Sequence, residues 1–236
     1  MIATDFDGTL SPIVDDPGAA ALVDGAAAVL ARLATQVAEL AVVSGRPLSY
    51  LTSHLPEGLT MVGLYGLESV RHGERVDHPD APSWRRVVDG VVRDAQDAGL
   101  AGLHVESKEL SLTLHYRRHP ELAPQVEALA EQLADGSGLR VHAAKMSVEL
   151  HPPIDEDKGT ALTRLAHDHD GPVMFLGDDV GDLTAFDALD HLAAAGRPVL
   201  RVVAGSVETA PLLRDRADLV VDGPAGVVEL LRSLSS

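Results

Sequence analysis

The sequence predicts an α/β protein in two parts, a parallel-sheet domain interrupted by a smaller domain built on an antiparallel sheet. Three observations carry this expectation. Short apolar runs alternate with helical periodicity from residue 1 to about 64, and again from residue 158 onward. The stretch from Pro82 to Pro153 reads α-β-β-α-β-β instead. Pro79, Pro82, Pro152 and Pro153 punctuate the two places where the pattern changes. The expected division is residues 1–81 and 154–236 for the parallel-sheet domain and 82–153 for the insert.

Residues 1–6 read as a strand. Residues 19–34 carry Leu22, Ala26, Val29, Leu30 and Leu33 at helical spacing, and residues 37–43 are an apolar run suited to a buried strand. A helix over 47–55 opens with Pro near its first turn, and 59–64 is the next strand. This βαβαβ order implies parallel pairing with right-handed crossovers. In the insert, 84–98 reads as a helix with Trp84, Val87, Val88, Val91 and Val92 on one side. Extended pieces at 103–107 and 111–117 suggest a hairpin around Lys108-Glu109. A helix at 121–134 and extended pieces at 139–143 and 147–150 complete it. The parallel pattern then resumes with a helix at 158–168, a strand at 173–176, a helix at 182–189, a strand at 198–203, a helix at 207–213, a strand at 219–221 and a closing helix at 225–233.

Composition narrows the function classes. The chain has 236 residues, of which 45% are hydrophobic but only 3% aromatic, so the core is built from Ala, Val and Leu, and stacking platforms for single-stranded nucleic acid are not expected. The formal net charge of −17 opposes binding to nucleic acid or anionic membranes. With no Cys, disulfides and thiolate catalysis are excluded. No apolar run approaches the roughly 20 residues that span a bilayer. No basic or apolar leader precedes the first strand. A cytoplasmic enzyme, monomeric by preference, is the expectation. The eleven His residues show no zinc-ligand spacing.

The most informative stretch is Asp5-Phe6-Asp7-Gly8-Thr9-Leu10, at the end of the first strand. Two carboxylates two residues apart, a Gly that lets the chain turn and a Thr hydroxyl suit a hard cation such as Mg²⁺ and phosphoryl chemistry. A loop of acidic turn residues is the alternative. Gly177-Asp178-Asp179-Val180-Gly181-Asp182 follows another expected strand on the same rim of the sheet, where ligands of such sheets bind. Carboxylates gathered there would repel one another without a cation; an acidic helix cap is the other reading. Ser44-Gly45-Arg46 offers a hydroxyl and backbone N–H groups to a phosphate, or is an ordinary N-cap and turn. Lys158, opening a helix, could neutralise a phosphate or hold an aspartate ionised, or be a solvated lysine. On the insert, Glu106, Lys108, Ser111, His115, Arg117 and Glu149 form either a sugar-binding face or the polar face of an antiparallel sheet.

Taken in order, Asp5–Leu10, Ser44-Gly45-Arg46, Lys158-Gly159 and Gly177-Asp178-Asp179 resemble the four motifs of the haloacid-dehalogenase-like (HAD) phosphatases. The resemblance implies a Rossmann-like parallel-sheet core with an inserted α/β cap of the larger, C2 type. More narrowly, Leu64-Tyr65-Gly66-Leu67-Glu68, Glu106-Ser107-Lys108, Leu114-His115-Tyr116-Arg117 and Val148-Glu149-Leu150 with Pro153 resemble the trehalose-6-phosphate phosphatases. That likeness implies hydrolysis of trehalose 6-phosphate, in trehalose biosynthesis, through an aspartyl-phosphate. It makes Asp5 the nucleophile and Asp7 the general acid and base. It places Mg²⁺ on Asp5, the Asp7 carbonyl and Asp178, with Asp182 in support. Ser44, Gly45, Arg46 and Lys158 would hold the phosphoryl group. Glu106, Lys108 and Glu149 would grip the disaccharide, with His115 and Arg117 nearby, and cap closure would expel water. Where the family usually has Thr and Glu in the fourth motif, this chain has Gly181 and Leu183, so the roles of Asp179 and Asp182 are less determined than that of Asp178. The alternatives are a phosphatase for sucrose phosphate, mannosyl phosphoglycerate or a hexose phosphate, a phosphomutase, and a phospho-receiver signalling domain.

Overall fold

The structure, a computed structural model, describes residues 1–14, 17–144, 146–207 and 209–235. By internal contacts it divides into two units, one of residues 1–76 and 156–236, the other of residues 77–155. The expected insert, 82–153, lies inside the second unit.

In the first unit the chain runs β1 (Ile2–Thr4), α1 (Ala26–Ala34), β2 (Leu40–Val43), α2 (Leu48–His54), β3 (Thr60–Gly63), β4 (Glu68–Arg71) and β5 (Glu74–Asp77, ending at the unit boundary). In the second unit it continues through α3 (Ala81–Asp97), β6 (His104–Ser107), β7 (Leu112–His115), α4 (Ala123–Ser137), β8 (Arg140–Ala144) and β9 (Ser147–His151). It returns as α5 (Lys158–His167), β10 (Val173–Gly177), α6 (Leu183–Ala194), β11 (Val199–Gly205), α7 (Pro211–Asp215), β12 (Leu219–Asp222) and α8 (Gly223–Leu234).

The described residues form an eight-stranded sheet in the order β12-β11-β10-β1-β2-β3-β4-β5. The pairs from β12 to β3 are parallel, and β4 is antiparallel to β3. The apolar runs of the central strands are buried on both faces, as helix-covered parallel strands are. Ile2, Leu40, Val42 and Met61 pack under α1, α2 and α8. Ala3, Ala41, Val43, Val62, Phe175 and Val203 pack under α5, α6 and α7. Strand order reverses at β1: the chain moves to β2 on one side and later fills β10 on the other. That reversal opens a crevice at the carboxyl ends of β1 and β10.

The second unit is a four-stranded antiparallel sheet, β6-β7-β9-β8, with α3 and α4 on one face. Val88, Val91, Ala95, Val126, Ala130 and Leu133 of the helices meet Leu112, Leu114, Val148 and Leu150 of the strands. The opposite face carries the polar residues.

Several boundaries differ from expectation for identifiable reasons. The helix expected over 19–34 begins only at Ala26, after Gly25 at φ +83. The helix expected over 207–213 is Pro211–Asp215, started by Pro at its first position; residue 208 lies outside the described residues. The hairpin of β4 and β5 was not anticipated. Its signal is the His72-Gly73 turn, both residues at positive φ (52 and 81), between short strands carrying Val70 and Val76.

A buried carboxylate ties the amino ends of the sheet together. Glu39, just before β2, accepts from Thr60 Oγ1 (2.7 Å) and from Arg71 Nε (2.9 Å) and Nη2 (2.6 Å), and also pairs with His169. Burial pushes its pKa up, but the bonds from His169, Arg71 and Thr60 outweigh burial and hold it below the ordinary carboxylate value. A lowered folded-state pKa stabilises the fold above the unfolded value, about 4.3, and that stabilisation is lost as pH falls through the folded value. Glu39→Gln should therefore cost about 2 kcal/mol at pH 7. Urea unfolding of both proteins should show that difference shrinking at acid pH; a penalty independent of pH would remove the ionic account.

Candidate active site

The site is built where β1 and β10 end. The Asp5 N–H donates to the Leu176 carbonyl (2.9 Å), continuing the β1–β10 ladder one residue beyond the strand. The chain then folds back on itself: Leu10 N and Ser11 N both donate to the Phe6 carbonyl, and Gly8 N donates to Ser11 O (2.7 Å). Phe6 and Leu10 are fully buried and anchor this loop. Gly8 sits at φ +75, and a β-carbon there would collide with the Asp178 carboxylate. Glycine is thus required twice over, for its conformation and for the close approach.

Asp5, Asp178 and Asp182 each offer a carboxylate oxygen, and these oxygens lie within 4.8 Å of one another. Lys158, the first residue of α5, is buried between two of them. Its Nζ lies 2.7 Å from Asp182 Oδ1 and 3.0 Å from Asp5 Oδ1. A capping box between Asp157 and Thr160 fixes the start of that helix. Asp182 is fully engaged: besides Lys158, its Oδ2 accepts the N–H groups of Asp178 (2.8 Å) and Asp179 (3.2 Å). Gly177 leaves room for this, since a β-carbon there would strike Asp182. Thr9 Oγ1 donates a long bond to Asp178 Oδ1 (3.4 Å).

The electrostatics follow from burial. Burial, with repulsion from Asp182 and Asp178, holds Asp5 well above the usual carboxylate range against the pull of Lys158. Burial likewise pushes Asp178 up to about 7, with Asp182 and Asp179 adding to it. Burial would lower Lys158, but Asp182 and Asp5 outweigh it and keep the ammonium protonated well above its ordinary value. The donor set is all oxygen, anionic and overcrowded with negative charge. It fits a hard divalent cation, which Asp5, Asp178 and Asp182 could hold.

Ser44 follows β2, the parallel neighbour of β1, so it lies on the same rim. Its Oγ accepts the Arg46 N–H (3.2 Å). Arg46 grips Asp7: Nε lies 2.8 Å from Oδ2 and Nη2 2.7 Å from Oδ1. The guanidinium also stacks 4.5 Å over the Tyr50 ring, whose hydroxyl donates to Ala20 O (2.6 Å). The next segment holds two consecutive bulky residues in the left-handed region, Leu64 (φ 48) and Tyr65 (φ 60), at about 1 kcal/mol or more each. Glu68 is wholly buried; it accepts the Leu48 N–H (3.1 Å) at the start of α2 and pairs with Arg75 (2.8 Å).

In the second unit, Glu106, Thr113, Glu149 and His142 stand side by side across the four strands. His115 Nε2 pairs with Glu106 (2.7 Å), Ser111 donates to Glu149 (2.9 Å), and Lys108 lies 3.7 Å from Glu149. The structure thus brings Glu106, Lys108, His115 and Glu149 onto one face. Arg117 lies in the exposed turn after β7 and makes no ion pair among the described residues.

Thr9, whose hydroxyl was expected to orient a carboxylate or an oxyanion, bonds to Asp178. The roles of Tyr65 and Glu68 were not read from the sequence, and only the fold reveals them.

Known proteins resemble this chain along most of its length. The profile of the family described as Trehalose-phosphatase matches residues 3–216. A trehalose-phosphate phosphatase of Mycolicibacterium paratuberculosis is 36% identical, the match covering 83% of this chain and 53% of that protein. A Mycobacterium tuberculosis protein described as an uncharacterised glycosyl hydrolase is 38% identical over 78% of this chain but only 15% of its own length. The chain therefore spans about half the length of the phosphatase relative and a small part of the other. Among solved structures, the C-terminal domain of Candida albicans trehalose-6-phosphate phosphatase superposes with a TM-score of 0.76 at 26% identity, covering 99% of this chain and 91% of that one. A trehalose-6-phosphate phosphatase related protein, at 24% identity, shares the fold with a TM-score of 0.83, covering 99% of this chain and 96% of that one.

Because the raised pKa of Asp178 means that its negative charge destabilises the metal-free fold at neutral pH, Asp178→Asn should raise the melting temperature in chelator by a few degrees at pH 8, and less at pH 5. Added Mg²⁺ should stabilise the wild type and not the variant. Differential scanning fluorimetry checks both; equal Mg²⁺ stabilisation of the two would remove Asp178 from the ligand set.

Proposed function

Since the chain belongs to the trehalose-phosphatase family, we propose that it hydrolyses trehalose 6-phosphate to trehalose and phosphate through an aspartyl-phosphate on Asp5, with Mg²⁺ as cofactor. The observation that carries this reading is the gathering of Asp5, Asp178 and Asp182 around Lys158 at the reversal point of the sheet.

The chain's own groups have separable tasks. Asp5 attacks phosphorus while Lys158 holds one of its oxygens and so fixes the direction of the other. The Ser44 hydroxyl and the Gly45 N–H receive the phosphoryl oxygens. Asp7 gives a proton to the departing sugar oxygen, then takes one from the water that cleaves the acyl phosphate. Arg46 acts through Asp7, fixing both of its oxygens, and is a positioning residue in this reading. Asp5, the Asp7 carbonyl and Asp178 would hold Mg²⁺, which would supply positive charge that lowers the raised carboxylate pKa values and offsets charge on the phosphoryl group.

The polar row of the second unit supports a sugar as the leaving group. Glu106 and Glu149 accept from hydroxyls, and Lys108 donates; His115, paired with Glu106, orients it. Arg117, in its exposed turn, is a less direct contributor. No helix among the described residues is long and apolar enough to cross a membrane. We place the protein in the cytoplasm, acting as a monomer on a small sugar phosphate rather than on nucleic acid or lipid, which its charge of −17 disfavours.

Phosphate release with Mg²⁺ across trehalose 6-phosphate, sucrose phosphate, mannosyl phosphoglycerate and hexose phosphates tests the substrate. Trehalose 6-phosphate should give the highest kcat/KM, and another sugar phosphate in first place would replace it. Asp5→Asn should abolish turnover and leave the circular-dichroism spectrum unchanged, whereas near-normal kcat would exclude Asp5 as the nucleophile.

A further inference from the structure

We infer that Tyr65 is a substrate-contacting residue, its phenol hydroxyl donating to the phosphoryl group held at the Ser44–Gly45 turn. The inference rests on the reading of that turn as the phosphoryl cradle and adds a donor to it.

Backbone strain is the first observation. Leu64 and Tyr65 occupy the left-handed region one after the other, at φ 48 and 60, before Gly66 at φ 125. Bulky side chains visit this region only where the surroundings hold them there, and such outliers gather at functional sites. Here the hold comes from the turn itself. Leu64 N donates to Arg46 O (3.0 Å) and Tyr65 N to Ser44 O (3.1 Å), so the strained corner is sewn to the Ser44–Arg46 turn.

The second observation is where the side chain ends. A β-carbon on Gly45 would lie 2.5 Å from the Tyr65 hydroxyl oxygen, so the hydroxyl rests directly on the Gly45 α-carbon. The tyrosine is also 41% exposed, between Leu64 and Leu67, which are buried. Apolar burial does not account for a ring left this open; a hydroxyl set on the turn does.

The third is the disposition of nearby cations. Arg46 is taken up by both oxygens of Asp7, and Lys158 by Asp5 and Asp182. Phosphoryl oxygens arriving at Ser44 and Gly45 therefore meet mostly neutral donors, and a phenol O–H is one of suitable strength. The competing account is that the ring covers Gly45 and the hydroxyl serves contacts within the protein alone.

Tyr65→Phe in the whole chain separates these, because it keeps the ring, its bulk and the backbone and removes only the donor. Two quantities are read with Mg²⁺: KM for the best sugar phosphate of the panel, and the competitive inhibition constant of orthophosphate. Loss of one hydrogen bond to a charged acceptor predicts that both rise about tenfold, with kcat within about twofold of wild type. An orthophosphate constant within about twofold of wild type overturns the inference, whatever happens to the sugar ester, since the hydroxyl would then serve packing or the sugar. Orthophosphate carries no sugar, so this result is independent of which ester ranks first. A wild type that hydrolyses no phosphate ester would overturn the parent reading and this one together. A wild type that turns over while Tyr65→Phe binds orthophosphate normally would overturn this one alone.

Discussion

A single buried ammonium, that of Lys158, sets the terms for the rest of the site. Its desolvation is tolerable only because Asp5 and Asp182 lie at 3.0 and 2.7 Å, and their burial is tolerable only because it is there. Each of the three comes from a different element: the end of β1, the start of α5 and the turn after β10. The ion triad therefore locks together, at their carboxyl ends, the two strands between which the sheet reverses. Asp182 extends the constraint. With one oxygen on Lys158 and the other on the N–H groups of Asp178 and Asp179, it shapes the turn that presents Asp178 beside Gly8.

Around this lock, charge is distributed by neighbour rather than by composition. The chain is strongly acidic as a whole, yet each carboxylate proposed to attack phosphorus or to move a proton is tied to a specific cation. Asp5 has Lys158 and Asp7 has Arg46, itself backed by the Tyr50 ring. Asp178 is the exception. Its long bond from Thr9 and the attraction of Lys158 do not outweigh its burial and the repulsion of Asp182 and Asp179, so its pKa climbs to about 7 and a divalent ion beside it would relieve that repulsion.

Much of this was legible in the sequence, and what was not has a physical reason. The carboxylates of residues 5, 178 and 182 could be placed on one rim because apolar runs precede Asp5 and Gly177, and parallel strands present their ends together. Lys158 could be placed at a helix start, but not between two carboxylates, since that contact spans 153 and 24 positions of sequence. Periodicity says nothing of rotamers, so the bidentate grip of Arg46 on Asp7, with the Tyr50 ring one turn along α2 beneath it, could not be read in advance. The β4–β5 hairpin escaped because each strand has four residues and a mixed polar face, too little for a period-2 pattern to stand out. In the second unit, the polar row was visible by alternation, while Arg117 falls just past the end of β7, where alternation no longer applies.

The placement of β1 at the middle of the sheet also governs how the polypeptide comes to be folded. Its partner β10 lies far along the chain: the amino group of Met1 reaches the carbonyl of Pro172, 171 positions away. During synthesis β1 can dock on β2 early, but its other edge waits unpaired until β10 has left the ribosome. The four-stranded unit, all of whose strand partners fall within residues 104–151, can settle in the interval. Assembly of the chemical centre is thus a late event, and a ribosome that stalls before residue 182 releases a chain without it.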